Sequence, residues 1–146
     1  MAKDWTIDTG VLYQTGRPGT AAADFLSRVV DRPQRVAVDK GGLILHEYKI
    51  CLRKLPFRFL QKWFADVIRK SLMLKKNAGL RNGHIHAFNT MKFHADDWPF
   101  VAVCAKTRSR RLVIGLDSDY NQQVVEYLLK HMNVTVNSID EAMKVR

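Results

Sequence analysis

Asp8, Glu47, Asp97 and Asp117 are four carboxylates far apart in the chain, and each borders an apolar run. Carboxylates gathered at one point repel one another unless a cation neutralises them. Magnesium and manganese prefer such all-oxygen surroundings and keep several of their waters. Two such ions about 4 Å apart activate a water and stabilise the leaving oxygen in phosphodiester cleavage. If folding joins these acids, metal-assisted phosphodiester hydrolysis is the chemistry they suit.

Each acid also has an ordinary reading. Asp8 and Asp117 close apolar segments and could serve as turn or cap residues. Asp96 and Asp97 precede Pro99 and a buried run, so either could cap a helix. An acid there is also favoured by the helix dipole. The order leaves Asp96 and Asp97 as alternative ligands, and spacing to Phe100 favours Asp97. Asp119 stands close enough to assist Asp117. Glu47 borders the apolar face set by Ile44, Tyr48 and Cys51, where a carboxylate usually has a partner. Pairing with Arg53 or a solvent-edge position is the alternative.

The remaining charge points to a polyanion. Twenty-four Lys and Arg against 14 Asp and Glu leave a formal charge of +10, the usual footprint of a nucleic-acid partner. Arg53, Lys54, Arg58 and Lys62 form one basic cluster, and Arg108, Arg110 and Arg111 a second. Phe57, Phe59 and Trp63 interleave with the first, where they either stack on bases or fill the core. His84, His86 and His94 lack a further ligand at diagnostic zinc spacing. Cys51 and Cys104 lie in apolar segments and read as reduced, buried thiols. The N-terminus shows no secretory signal and no apolar run reaches membrane-spanning length, so a cytoplasmic protein is expected.

Positioning the acids requires strands that end in them. Trp5 to Asp8, Arg35 to Asp39, Arg111 to Leu116 and Val134 to Val136 read as strands. Thr20 to Val30 reads as a helix capped by Thr20, and Ile44 to Leu55 as another, ended by Pro56. Phe57 to Leu74 reads as one long amphipathic helix. Gly16-Arg17-Pro18-Gly19 reads as a turn, and Gly79 with Gly83 as the bounds of a loop. Phe100 to Ala105 and Gln122 to His131 complete the helices, with a short last one opened by Asn137 or Ser138. The alternation predicts a single α/β domain over 1–146, a three-layer α/β/α sandwich around a mostly parallel sheet. Ligands in such folds bind at the carboxyl ends of the strands, where Asp8 and Asp117 would fall.

In this order the segments resemble the PIN-domain ribonucleases. Trp5-Thr6-Ile7-Asp8-Thr9-Gly10-Val11-Leu12 looks like their opening motif. Val36-Ala37-Val38-Asp39 through Ile44-Leu45-His46-Glu47-Tyr48 is similar to the segment whose Glu-Tyr pair supplies the second acid in PIN-type toxins. Asp97-Trp98-Pro99-Phe100-Val101-Ala102-Val103-Cys104-Ala105 looks like the third motif. Leu112-Val113-Ile114-Gly115-Leu116-Asp117-Ser118-Asp119-Tyr120 resembles the fourth, and Val134-Thr135-Val136 through Glu141-Ala142 the closing strand and helix. Gly115 departs from the Ser or Thr usual in the fourth motif, and Gly10 from the common Asn or Ser.

The resemblance implies an endoribonuclease using Mg2+ or Mn2+, with Asp8, Asp97 and Asp117 on the first ion and Glu47 completing the site. Thr9 and Ser118 would orient ligands through their hydroxyls. The implied partners are RNA, with DNA left open, an antitoxin or other regulatory protein, and a second copy of the chain. A toxin–antitoxin or defence role is the expectation. The alternative is a PIN-like fold that binds nucleic acid or a partner without catalysis.

Overall fold

The computed structural model describes residues 3–16, 19–55, 57–116 and 119–145. Five strands form the sheet: β1 (Asp4–Ile7), β2 (Arg35–Asp39), β3 (Met73–Lys76), β4 (Arg111–Val113) and β5 (Thr135–Asn137). Their order is β3-β2-β1-β4-β5, and every pairing is parallel. Strands buried on both faces read as continuous apolar runs. Val36, Ala37 and Val38 of β2, and Leu112 and Val113 of β4, are buried accordingly.

The helices are α1 (Thr9–Tyr13), α2 (Ala21–Asp31), α3 (Leu43–Lys54), α4 (Arg58–Arg69), α5 (Asn82–Thr90), α6 (Trp98–Cys104), α7 (Gln122–Met132) and α8 (Ile139–Met143), with a 3-10 turn over Ala95–Asp97. The chain moves from β1 outward to β2 and β3, then returns past β1 to β4 and β5. Right-handed crossovers therefore put the helices of the two halves on opposite faces. On one face α2 contacts α4 and α8; on the other α6 packs over β1, β2 and β4. The result is the expected α/β/α sandwich, and its sheet is wholly parallel. One contiguous core runs through it, from Trp5 and Phe25 to Phe100 and Leu128.

Several elements follow their sequence signals. Thr20 caps α2 by accepting from Ala23 N at 3.1 Å. Ser138 and Glu141 form a reciprocal capping box at α8. Other elements differ from the sequence reading. The helix expected over Phe57 to Leu74 stops at Arg69, and β3 follows it. Ser71 adopts φ 54° there. Its amide donates to Ile68 O and that of Leu72 to Val67 O, closing the helix as a Schellman turn without the usual glycine. The loop expected between Gly79 and Gly83 instead leads into α5. Strand β4 ends at Val113, short of the expected Leu116, which is 97% exposed. Arg17, Pro18 and Pro56, read as turn and helix-end residues, lie outside the described residues. Among those described, no helix is long and apolar enough to cross a membrane.

Candidate functional site

The direction of the chain reverses at β1, so the crevice between β1 and β4 at their carboxyl ends is the topological switch point where open α/β sheets hold ligands. Asp8 is the first residue after β1. Its amide donates to Val113 O at 2.9 Å, tying it to the end of β4. Its Oδ2 accepts from Gly10 N at 3.1 Å and so caps α1. The cap reading of Asp8 is thus realised, on a residue only 2% exposed.

Two glycines shape this corner. A Cβ on Gly115 would lie 2.6 Å from the carbonyl carbon and oxygen of Gly10, an overlap the backbone cannot yield to. The loop leaving β4 therefore passes directly over the start of α1. Gly115, read from sequence as lacking a hydroxyl, has no room for a side chain. Gly10 is less confined: its Cβ would meet Asp8 Oδ2 at 3.0 Å.

Helix α3 begins at the same edge. Asp39, closing β2, accepts from Leu43 N at 3.0 Å and Ile44 N at 2.7 Å. Gly42 supplies the required positive φ of 84° just before. Asp39 is buried and lies outside the acids singled out by sequence, although Asp39-Lys40-Gly41-Gly42 before an apolar repeat is the signal that marks it. Tyr48, one turn further into α3, donates its hydroxyl hydrogen to Ile7 O. That contact carries α3 over the end of β1. Burial, and after it the negative charge of Asp8, hold the Tyr48 hydroxyl protonated well above the usual tyrosine range. Tyr48 is therefore a neutral donor that fixes the strand end beside Asp8.

Asp97 reaches this edge from the other crossover. It stands immediately before α6, and the ring of Phe100 lies 6.4 Å from that of Tyr48. Asp97 is 8% exposed, and its side chain does not cap α6. Asp96, by contrast, is exposed and lies 3.5 Å from His94 Nδ1. The structure thus separates the two adjacent acids: Asp97 points into the fold and Asp96 out of it. Glu47 is exposed. It shares a groove of about 170 Å³ with His46, Asp96 and Pro99. Of the sequence readings of Glu47, the solvent-edge position is the one it takes.

Asp117 and Ser118 lie outside the described residues. Asp119 is exposed, and Thr9, half-buried, opens α1. Among the described residues, no group of three or more His, Cys, Asp and Glu side chains is placed to hold a metal ion. Asp8 and Asp97 offer the oxygen chemistry a hard cation prefers, but they do not by themselves make a complete ligand set.

The two basic clusters lie at opposite ends of the sheet. Arg53, Lys54, Arg58 and Lys62 are exposed around the α3–α4 connection, where Phe57 packs close to Gly16 beyond α1. That is the carboxyl edge. Arg108, Arg110 and Arg111 precede or begin β4, at the amino edge, a full strand length from Asp8. Trp63 is 3% exposed and donates to Leu26 O at 2.9 Å, so it belongs to the core and is not a base-stacking platform. Phe57 and Phe59 also pack on the core.

The histidines fall on helices. His84 and His86 are two residues apart in α5, which turns them about 200° from one another. His84 Nδ1 lies 2.8 Å from Tyr127 OH of α7, whereas His86 is exposed. The shared-face arrangement of a strand is absent. Cys51 and Cys104 are free and buried. Burial pushes the thiols up to about 11 and about 12 respectively, so neither is an activated nucleophile.

Compared with family models, curated proteins and solved structures, the chain matches none.

Proposed function

We propose that this chain is a metal-dependent phosphodiesterase of PIN-like type that cleaves RNA at the carboxyl edge of its sheet. One observation carries the reading: Asp8 and Asp97, 2% and 8% exposed, stand just after β1 and just before α6, in two different crossovers that share the carboxyl edge of the sheet. The packing of Gly115 on Gly10 brings the start of the loop leaving β4 to the same corner.

In this reading Asp8 and Asp97 hold the cation from its buried side, with Asp117 and Glu47 as the remaining acids. When bound, the cation polarises the phosphodiester and makes water a stronger nucleophile. The chain's own groups do the positioning. Asp8 is fixed by Gly10 N, the strand end below it by Tyr48, and α3 by Asp39. Arg53, Lys54, Arg58 and Lys62, on the same edge, neutralise the phosphates of the approaching strand.

The test is cleavage of a labelled single-stranded RNA with Mg2+ or Mn2+, comparing the parent with Asp8→Asn and Asp97→Asn. Loss of at least a hundredfold in both, with folding intact, is expected. Metal-independent cleavage, or none in the parent, sinks the proposal.

A second reading has its own support. Exposed Glu47, set in a groove with Asp96, is what a non-catalytic PIN-like binding protein would show. RNA binding without cleavage, unchanged by Asp8→Asn, would favour it. A toxin–antitoxin role and an inhibitor protein belong to the catalytic reading and stand or fall with it.

A further inference from the structure

The strand-end acids gather at the carboxyl edge of the sheet beside the cluster Arg53, Lys54, Arg58 and Lys62, and a second set of cations lies at the amino edge. Asp8, Asp39, Asp97, Asp140 and Glu141 all follow a strand or open a helix at the carboxyl edge. At the amino edge the acids are Asp4, Asp31 and Asp66. Asp4 is buried and accepts from Ser109 N at 3.2 Å, and Asp66 is bridged to Arg69 at 3.3 Å.

The cations at the amino edge are differently placed. Lys70 precedes β3, Arg32 and Arg35 lead into β2, Lys3 precedes β1, and Arg110 and Arg111 lead into β4. Four neighbouring strands in the order β3-β2-β1-β4 thus each have a basic residue at their first position or within three residues before it. Strands lie about 4.8 Å apart, so the row is about 14 Å wide. Among the described residues none of these six forms an ion pair. Arg35 also buries its Nε without a hydrogen-bond partner among them, a cost that a purely structural arginine would not carry.

Helix ends give part of the reason for this pattern. Helices α2, α4 and α6 end at this edge, and cations are favoured at helix C-termini. One cation per helix would meet that need. The row exceeds it, and it includes Arg35 and Arg111, the first residues of β2 and β4.

We propose that the amino edge of the sheet is a docking surface for the phosphate backbone of a nucleic acid, physically separate from the acids of the opposite edge. The row spans several successive phosphates; of the local carboxylates Asp4 is buried and Asp66 is bridged to Arg69, and the exposed Asp31 is outnumbered by the six cations. Sequence readout is not expected, because the row offers charge and no shaped pocket. The surface does not depend on the chain being a nuclease.

The test is binding of a fluorescein-labelled 20-nucleotide oligouridine by anisotropy, in EDTA, across a salt series. EDTA removes metal-dependent cleavage from the measurement, so the outcome is independent of the catalytic proposal. Two triple variants are compared: Lys3→Gln/Arg32→Gln/Arg110→Gln at the amino edge, and Lys40→Gln/Lys49→Gln/Lys92→Gln elsewhere. Both lose the same formal charge from surface positions, and unchanged circular dichroism checks folding.

The amino-edge triple should weaken binding at least tenfold. It should also lower the slope of log K against log salt by about 2, since each single-strand phosphate contact contributes about 0.7. The second triple should stay within about twofold of the parent. Equal loss in both would show diffuse attraction and overturn the proposal. No loss at the amino edge would overturn it as well. Displacement by polyglutamate at equal charge concentration would show an acidic-protein surface instead, and also count against it. If a triple fails to fold, the single change Arg110→Gln is used, with a slope decrease of about 0.7 expected and no change overturning the assignment.

Discussion

Asp8 and the two glycines beside it make one unit. Gly115 touches the Gly10 carbonyl and Gly10 faces the Asp8 carboxylate, so a side chain at either glycine disturbs the acid by a different route. Gly115→Ser must move backbone, because its Cβ would lie 2.6 Å from Gly10 C and O. Overpacking of this kind costs about 1–3 kcal/mol. Gly10→Ser meets only the end of a side chain at 3.0 Å and gains about 0.5 kcal/mol in helix propensity. Gly115→Ser should therefore lower the midpoint of thermal unfolding by several degrees, and Gly10→Ser by clearly less. A Gly115→Ser protein as stable as the parent would show that the loop does not pass over α1 as described. Sequence could mark Gly115 as a departure from the Ser or Thr of the family it resembles. It could not show that the reason is a close approach of two distant backbone segments. Burial divides the acids just as invisibly: Asp96 and Asp97 are neighbours of the same type, and the 3-10 turn before α6 sends one outward and the other inward.

At the level of elements, legibility tracked the strength of local stop signals. Thr20 and Ser138 announce α2 and α8, and the apolar runs announce β2 and β4. Strand β3 was hidden because Leu72 extends the apolar repeat of α4, and Ser71 takes the left-handed turn that glycine would normally mark. Helix α5 was hidden because Arg81 makes no side-chain cap and Gly83 lies inside the helix. Its order comes from tertiary packing, with Phe88 against Phe93, Trp98 and Tyr127. The two kinds of element should fail differently. In α3 the Asp39 carboxylate caps two amides, so Asp39→Ala should cost about 1–2 kcal/mol, and Asp39→Asn less, read from urea unfolding. An Asp39→Ala protein equal to the parent would show that the cap contributes nothing. In α5 the contact is titratable. Burial, then the nearby charges of Arg81 and His131, hold the His84 pKa below its ordinary value of 6.5. The unfolded chain then binds the proton more readily than the folded one. Stability from His84 is complete above about pH 6.5 and is lost as pH falls through its depressed folded value. Amides of α5 should exchange faster at pH 5 than at pH 7.5, after correction for intrinsic rates, and His84→Gln should flatten that difference. Uniform protection across that range would disprove the link.

The whole molecule is a charged sandwich whose net +10 hides an acidic edge. Folding brings Asp8, Asp39 and Asp97 to that edge, with the cluster Arg53, Lys54, Arg58 and Lys62 beside them. Asp39 spends its charge on the amides of α3, and Asp8 caps α1. If a divalent cation binds where Asp8 and Asp97 converge, it must also stabilise the fold, because the unfolded chain cannot reproduce the site. At a concentration 100 times its dissociation constant such an ion adds about 2.7 kcal/mol. For a chain near 150 residues that is a rise of roughly 5–10 °C in the unfolding midpoint. Mg2+ or Mn2+ should produce this rise at constant ionic strength, and Asp8→Asn and Asp97→Asn should each abolish most of it. The comparison needs no substrate, so it separates metal binding from catalysis. A rise retained in both variants would place the ion elsewhere, and no rise in the parent would remove the metal from the mechanism. Neutralising the acids also answers whether their repulsion costs the fold anything. If Asp97→Asn alone raises the metal-free midpoint, the edge is strained by its own charge, as sites that await a cation are.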